Sequence, residues 1–279
     1  MNKISGFLLL VISLSANGQD NLNALAQPIV EEGKRLYRLE MASWRGTDLF
    51  LKQYPNQQKL QGYFSYIEND KARCIFFSHT PNVIGTITFD STYNSRTAIT
   101  DLTERDFTSL ERELYITRQK AISVINEDTL FKVYEKTSLN LIPLKSGNEK
   151  KVYVLTGAKE SGVVIFGNDY LLTFDNDNNL VSKKRLHQNI IRVTYSKEKE
   201  TAATMHTHLP ETGEFITATD ICTLMLYSRL TKWAQHNVIS KDYLNIWNCI
   251  TNQLAVVPMA AIKKINEGEK RERKKRDGE

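Results

Sequence analysis

Gly162-Val163-Val164-Ile165-Phe166-Gly167-Asn168-Asp169-Tyr170-Leu171-Leu172-Thr173-Phe174 is the stretch on which the reading of the fold turns. β-Branched and aromatic residues crowd into it without helical spacing, and the Gly167-Asn168-Asp169 step in its middle marks a bulge or tight bend. The neighbouring sequence has the same texture. Residues 152–156, 180–195 and 201–208 read as further strands, separated by turn material at Gly157-Ala158-Lys159, at 175–179 and at 197–200. Such short connections predict an antiparallel β-meander. A helix follows over 218–235, with Ile221, Leu224, Met225, Leu226, Leu230 and Trp233 spread around much of its circumference, which predicts burial. One last strand over 243–257 closes this part of the chain.

Upstream, Ile29, Val30, Leu36 and Leu39, with charges between them, predict an amphipathic helix over 28–43 that has Pro28 near its first turn. Residues 62–67 and 73–78 flank Glu68-Asn69-Asp70-Lys71 as a hairpin, and 83–89 adds a third strand. Thr103 with Asp106 forms a candidate cap for a second helix, which Phe107, Leu110, Leu114, Ile122 and Ile125 carry to about Asn126. The expected fold class is therefore α+β, with an N-terminal α-β-β-β-α module over 19–149, a polar break at 145–149, and the meander with its buried helix over 150–262.

At 279 residues, 41% hydrophobic and 25% charged, the chain is neither collagen-like nor low-complexity. Its net charge of +5 is concentrated at the two ends, so the body lacks the basic face of a nucleic-acid binder. Residues 263–279 are charged, lack an apolar face and read as a solvated tail. Lys3, an apolar run from Ile4 to Leu14 too short to span a bilayer, and the small residues Ala16 and Gly18 together predict a secretory leader over 1–18. Cleavage after Gly18 would give a secreted or periplasmic protein with no stable membrane insertion. Cys74, Cys222 and Cys249 make no disulfide framework and read as small buried hydrophobes, although one Cys222–Cys249 bridge is conceivable.

Two residues apart on a strand, side chains share a face, so His206-Thr207-His208 places two imidazoles together at a spacing that suits one metal ion. Ala202 and Thr204 on the same face are small, and Leu209-Pro210 ends the strand. Asp220, twelve residues after His208, becomes a third ligand if the loop folds the helix start back toward the pair. Thr217-Ala218-Thr219-Asp220 is equally a capping box that requires no metal. His187 is either a further ligand from the adjacent strand or a surface residue of the basic run Lys183-Lys184-Arg185, the commoner case. His79 and His236 are solitary and suggest no role. Cys222 near the helix start is a candidate thiol nucleophile with His206 or His208 as base, set against a place in the core. Trp44-Arg45-Gly46-Thr47-Asp48 and Tyr63-Phe64-Ser65-Tyr66 suggest a groove for peptide or glycan, or more simply the filling between helix and sheet.

The pattern over 152–257 resembles the JAMM motif of the JAB/MPN zinc metallopeptidases, an upstream Glu, then His-x-His-Pro, a short loop and Ser-x-x-Asp at a helix start. Here Leu209 intervenes before Pro210, Thr217 stands for the Ser, and a strand precedes the Glu. The resemblance implies zinc (Zn2+) on His206, His208 and Asp220, Thr217 supporting an oxyanion, and Glu160, just ahead of the Gly162 strand, as general base. It implies hydrolysis of an amide or isopeptide bond in a peptide or protein substrate. The other expectation is an exported, non-catalytic binding or structural protein in which the His pair and the capping box are structural.

Overall fold

The structure is a computed structural model that describes residues 16–196 and 201–276; most of the expected leader and the turn at 197–200 lie outside the described residues. Helix α1 (Ala16–Gln53) has 38 residues and is about 57 Å long at 1.5 Å per residue. It runs well beyond the expected 28–43, and Pro28 lies inside it, not in its first turn. Tertiary packing supplies what the local pattern does not. Val30 packs with Phe166, Ile221 and Trp247; Leu36 and Leu39 with Ile142, Leu155 and Cys222; Ala42 and Phe50 with Cys74, Phe76 and Ile87. One helix thus contributes to three clusters that otherwise come from separate sheets.

Strands β1 (Leu60–Glu68), β2 (Lys71–Ser78), β3 (Val83–Phe89) and β4 (Ile99–Asp101) form an antiparallel sheet in that order. Alternation sorts its side chains, with Cys74 and Phe76 facing α1 while Ile75 and Phe77 face α2 (Ser109–Glu127). The cap of α2 is Thr108, not Thr103. Its hydroxyl accepts from the Glu111 N–H, and the Glu111 carboxylate accepts from the Thr108 N–H at 2.8 Å. That carboxylate, fully buried, also receives both Arg105 Nη atoms at 2.7 and 2.8 Å and the Tyr66 hydroxyl at 2.8 Å. Asp101 rather than Asp106 serves Thr103, accepting from its N–H.

The polar break at 145–149 is the tight turn of a hairpin, β5 (Thr137–Ser146) with β6 (Glu149–Ala158), paired along its whole length. β5 is absent from the strands expected above, and as the sheet's outer strand it tolerates Pro143. The stretch 162–174 splits at the Gly167-Asn168 bend into β7 (Val163–Gly167) and β8 (Tyr170–Phe174), and 180–195 splits into β9 (Leu180–Arg185) and β10 (Ile190–Thr194). β8 and β9 extend the hairpin to the order β5-β6-β8-β9, whereas β7 pairs with β10 in a separate two-stranded sheet.

β11 (Thr201–Thr207) leads through α3 (Ala218–Thr231) to β12 (Trp233–Ile239), and β11 and β12 run parallel. The antiparallel meander therefore breaks here, and resumes from β12 to β13 (Tyr243–Asn248) and β14 (Gln253–Pro258). Lys232 in the left-handed region, φ 52°, ends α3 four residues short of Gln235 and turns the chain into β12. The expected tail begins inside α4 (Met259–Arg276), a helix with no buried residue. The class is α+β. All three cysteines are buried and free. Among the described residues no helix is long and apolar enough to cross a membrane.

Because one carboxylate closes the α2 cap and neutralises Arg105, Glu111→Ala should cost about 3 kcal/mol of unfolding free energy in urea titrations, against about 1 kcal/mol for Thr108→Ala. Burial would raise the Glu111 pKa, but Arg105, the Thr108 N–H and Tyr66 outweigh it and hold it below its ordinary 4.5. Its contribution should accordingly be complete above that pH and fade as the pH falls below it.

Candidate metal centre

A parallel β-strand pair needs a crossover, and a crossover helix begins beyond the C-terminal end of the strand it follows. The β11-α3-β12 unit therefore sets the start of α3 against the end of β11, where His206 and His208 point inward and Thr207 points out. Gly33 of α1 lets α3 sit close, since a Cβ there would lie 2.7 Å from the Ile221 Cβ and 3.0 Å from the Ala218 carbonyl oxygen. Asp220, one residue before Ile221, is 1% exposed and faces both imidazoles.

A fourth donor comes from the β9–β10 connection. Gly167, φ +83°, and Asn168, φ 55°, turn the chain between β7 and β8, and the Asn168 N–H donates to the Asn189 carbonyl at 3.1 Å. That corner seats the loop bearing His187, and a Cβ on Gly167 would lie 2.2 Å from the Asn189 oxygen. His187 is 5% exposed, not a surface residue; the neighbouring Lys183 and Lys184 carry the solvent-facing charge.

His187, His206, His208 and Asp220 each offer one ligand atom, all within 4.8 Å of one another. The Nε2 atoms of His206 and His208 are 3.1 Å apart, and those of His187 and His208 3.3 Å. Asp220 Oδ1 lies 3.4 Å from His187 Nε2 and 3.6 Å from His206 Nε2, and Oδ2 lies 3.2 Å from His208 Nε2. A tetrahedral ion with bonds of about 2.0–2.1 Å has ligand–ligand edges of about 3.3–3.4 Å, which these pairwise separations approach, while the four donors as a set are spread somewhat wider, within 4.8 Å.

Hydrogen bonds alone do not satisfy this cluster. Asp220 Oδ1 is buried without a hydrogen-bond partner although two imidazole nitrogens face it. His206 Nδ1 lies 2.8 Å from His236 Nε2, and His236 Nδ1 lies 2.7 Å from the Thr204 hydroxyl. For His206 Nε2 to present a lone pair, Nδ1–H must donate to His236, which in turn donates its own Nδ1–H to Thr204. Asp169 Oδ2 lies 3.4 Å from His187 Nδ1 as an ion pair, although that nitrogen makes no hydrogen bond. The buried group therefore fits a metal ion, with Asp169, His236 and Thr204 behind its ligands.

Electrostatics agree. Burial pushes His206 down to about 4 and His236 to about 3, leaving both imidazoles neutral. Burial opposes charge on His187 too, but the carboxylates of Asp220 and Asp169 prevail and push it up to about 10. Despite its burial, Asp220 is held well below the usual carboxylate range by His187 and His206. Without an ion, then, a proton on His187 supplies the positive charge that the carboxylates demand.

Of the residues expected from the sequence, His206, His208 and Asp220 meet. Glu160 does not join them, because its carboxylate engages Arg192 and lies 3.5 Å from Lys136 Nζ. Thr217 reaches the centre only through Asp220, as its N–H and hydroxyl donate to Asp220 Oδ2 at 3.0 and 2.7 Å and its oxygen accepts from the Asp220 N–H at 3.1 Å. The capping box is thus formed, and its hydroxyl proton is already spent on a ligand. Cys222 sits in the core with Leu36 and Leu39, and burial pushes its thiol well up, which removes the nucleophile reading. His236, read as solitary, is fully buried behind His206. No family model matches the chain, and neither the curated proteins nor the solved structures compared with it give a match.

Elemental analysis of the purified chain should find about one ion per molecule, lost in His187→Ala, His206→Ala, His208→Ala and Asp220→Ala and kept in Glu160→Gln. His236→Phe should weaken metal affinity by about 10–100-fold in competition titrations. Gly167→Ala, which forces the His187 loop outward, should also lower affinity although it touches no ligand.

Proposed function

We propose that this is a zinc-binding protein whose ion cross-links the β9–β10 connection, the end of β11 and the start of α3. The donor set carries this reading: three imidazole nitrogens and one carboxylate, all buried, converge closely enough to offer four protein ligands to one ion. Zinc suits such donors better than calcium or magnesium, which favour oxygen ligands and higher coordination numbers. A closed site of this kind contributes folding free energy, since the unfolded chain does not hold its donors together. The leader-like N-terminus supports an exported protein, and imidazole and carboxylate ligands, unlike thiolates, withstand an oxidising compartment.

One observation favours a hydrolytic alternative. A cleft of about 530 Å3 has Leu186 and Thr217, the neighbours of His187 and Asp220, in its wall. In that reading His206, His208 and Asp220 would hold the ion, and His187, kept protonated by Asp220 and Asp169, would deliver to the leaving nitrogen the proton expected from Glu160, with a peptide amide as the substrate class. Zinc would supply Lewis-acid chemistry.

Cobalt substitution separates the two. The cross-link reading expects a tetrahedral Co2+ absorption spectrum that added azide leaves unchanged, no amide hydrolysis, and a chelator-induced fall in Tm of about 10 °C. An azide-dependent spectrum together with zinc-dependent peptide hydrolysis would overturn it in favour of the hydrolase, and a chain that binds no ion would remove both.

A further inference from the structure

Glu40, Ser43, Trp44, Thr47 and Asp48 follow one another on α1 at helical spacing and so share a face. That face does not close against its neighbours. It borders a cavity of about 360 Å3 between α1, β1, the β5–β6 hairpin and α3, distinct from the metal centre and large enough for a small organic group.

The walls have one electrostatic character. Glu40 and Asp48 line the cavity, and no Lys, Arg or His does. The Glu40 carboxylate has a single long hydrogen bond, from Asn140 Nδ2 at 3.4 Å, and burial pushes its pKa up to about 7. A half-buried carboxylate so poorly compensated ionises reluctantly, and a cation beside it favours its charged form. Aromatic rings supply the remaining surface. Trp44 and Tyr227 stand with centroids 6.2 Å apart and planes inclined at 47°, and Tyr63 forms a further wall. Trp44 is 42% exposed, and the adjacent Arg45 and the nearby Asp48 are also exposed. The π faces of Trp and Tyr attract cations.

A positively charged nitrogen on a short aliphatic stem satisfies both features at once; an anion is repelled, and a neutral polyol leaves Glu40 uncompensated. We propose that the cavity bounded by Glu40, Asp48, Trp44, Tyr63 and Tyr227 binds a primary alkylammonium group, presented by a free amine or by a lysine side chain. This site stands independently of the zinc reading.

Calorimetric titration of the full chain with n-butylammonium, with N-acetyl-lysine N-methylamide and with uncharged 1-butanol tests it. At least one ammonium probe should bind at least about tenfold more tightly than 1-butanol, a difference of about 1.4 kcal/mol. Glu40→Gln and Trp44→Ala should each weaken that probe at least about tenfold with Tm unchanged. Preference for n-butylammonium would identify a free amine as the source, and preference for the lysine derivative a peptide. The proposal is overturned if neither ammonium probe saturates the protein by about 10 mM, if 1-butanol binds equally well, or if folded Glu40→Gln keeps full affinity.

Discussion

Parallel pairing between β11 and β12 is the constraint on which the rest of the centre depends. Two parallel neighbours cannot be joined by a tight turn, so the chain must climb over the sheet, and α3 is that climb. Its first turn consequently lies beside the inward-facing imidazoles at the end of β11. Had β11 and β12 been joined as a hairpin, Asp220 would have no reason to approach His206 and His208. The capping box then does two jobs with one residue, since it secures the helix start and fixes the rotamer of the carboxylate that faces the cluster. Cap and ligand, alternatives on paper, are compatible in the fold.

Around that centre the buried polar groups are arranged in pairs. His206 leans on His236 and Thr204, and His187 on Asp169. His236 holds one nitrogen of His206 so that the other faces inward, an arrangement that orients an imidazole for coordination, while Asp169 sets a charge beside His187. Far from the centre, Glu111 plays a comparable part by joining a helix cap, a strand tyrosine and an arginine through one carboxylate.

Much of this was legible in the sequence because it is local. The strand period marked β1 to β3, the His-x-His parity a shared face, and Thr217 with Asp220 a cap whose carboxylate faces the cluster. What stayed hidden depends on partners remote along the chain. The extent of α1 follows from clusters it joins only in three dimensions, and β5, an edge strand with a proline, is recognised by its pairing with β6. The change from antiparallel to parallel at β11 leaves no local mark. His187 sits in a basic run that resembles solvent-exposed sequence, yet the bend at Gly167 and Asn168, itself visible, is what tucks the loop inward. Glu160 shows the converse, as a residue well placed along the sequence takes Arg192 as its partner instead. His236 could have been found from its own strand, because β12 follows the buried helix and carries the one histidine opposite the His-x-His face.

The span of α1 also bears on the order of assembly. Val30 packs in one cluster with Trp247 and Cys249, more than two hundred residues further along the chain. The helix is synthesised first yet cannot complete that cluster until the last strands exist, and contacts of such sequence separation make for slow, late consolidation. That cluster therefore consolidates only once α1 and the segment bearing Trp247 and Cys249 have both been synthesised.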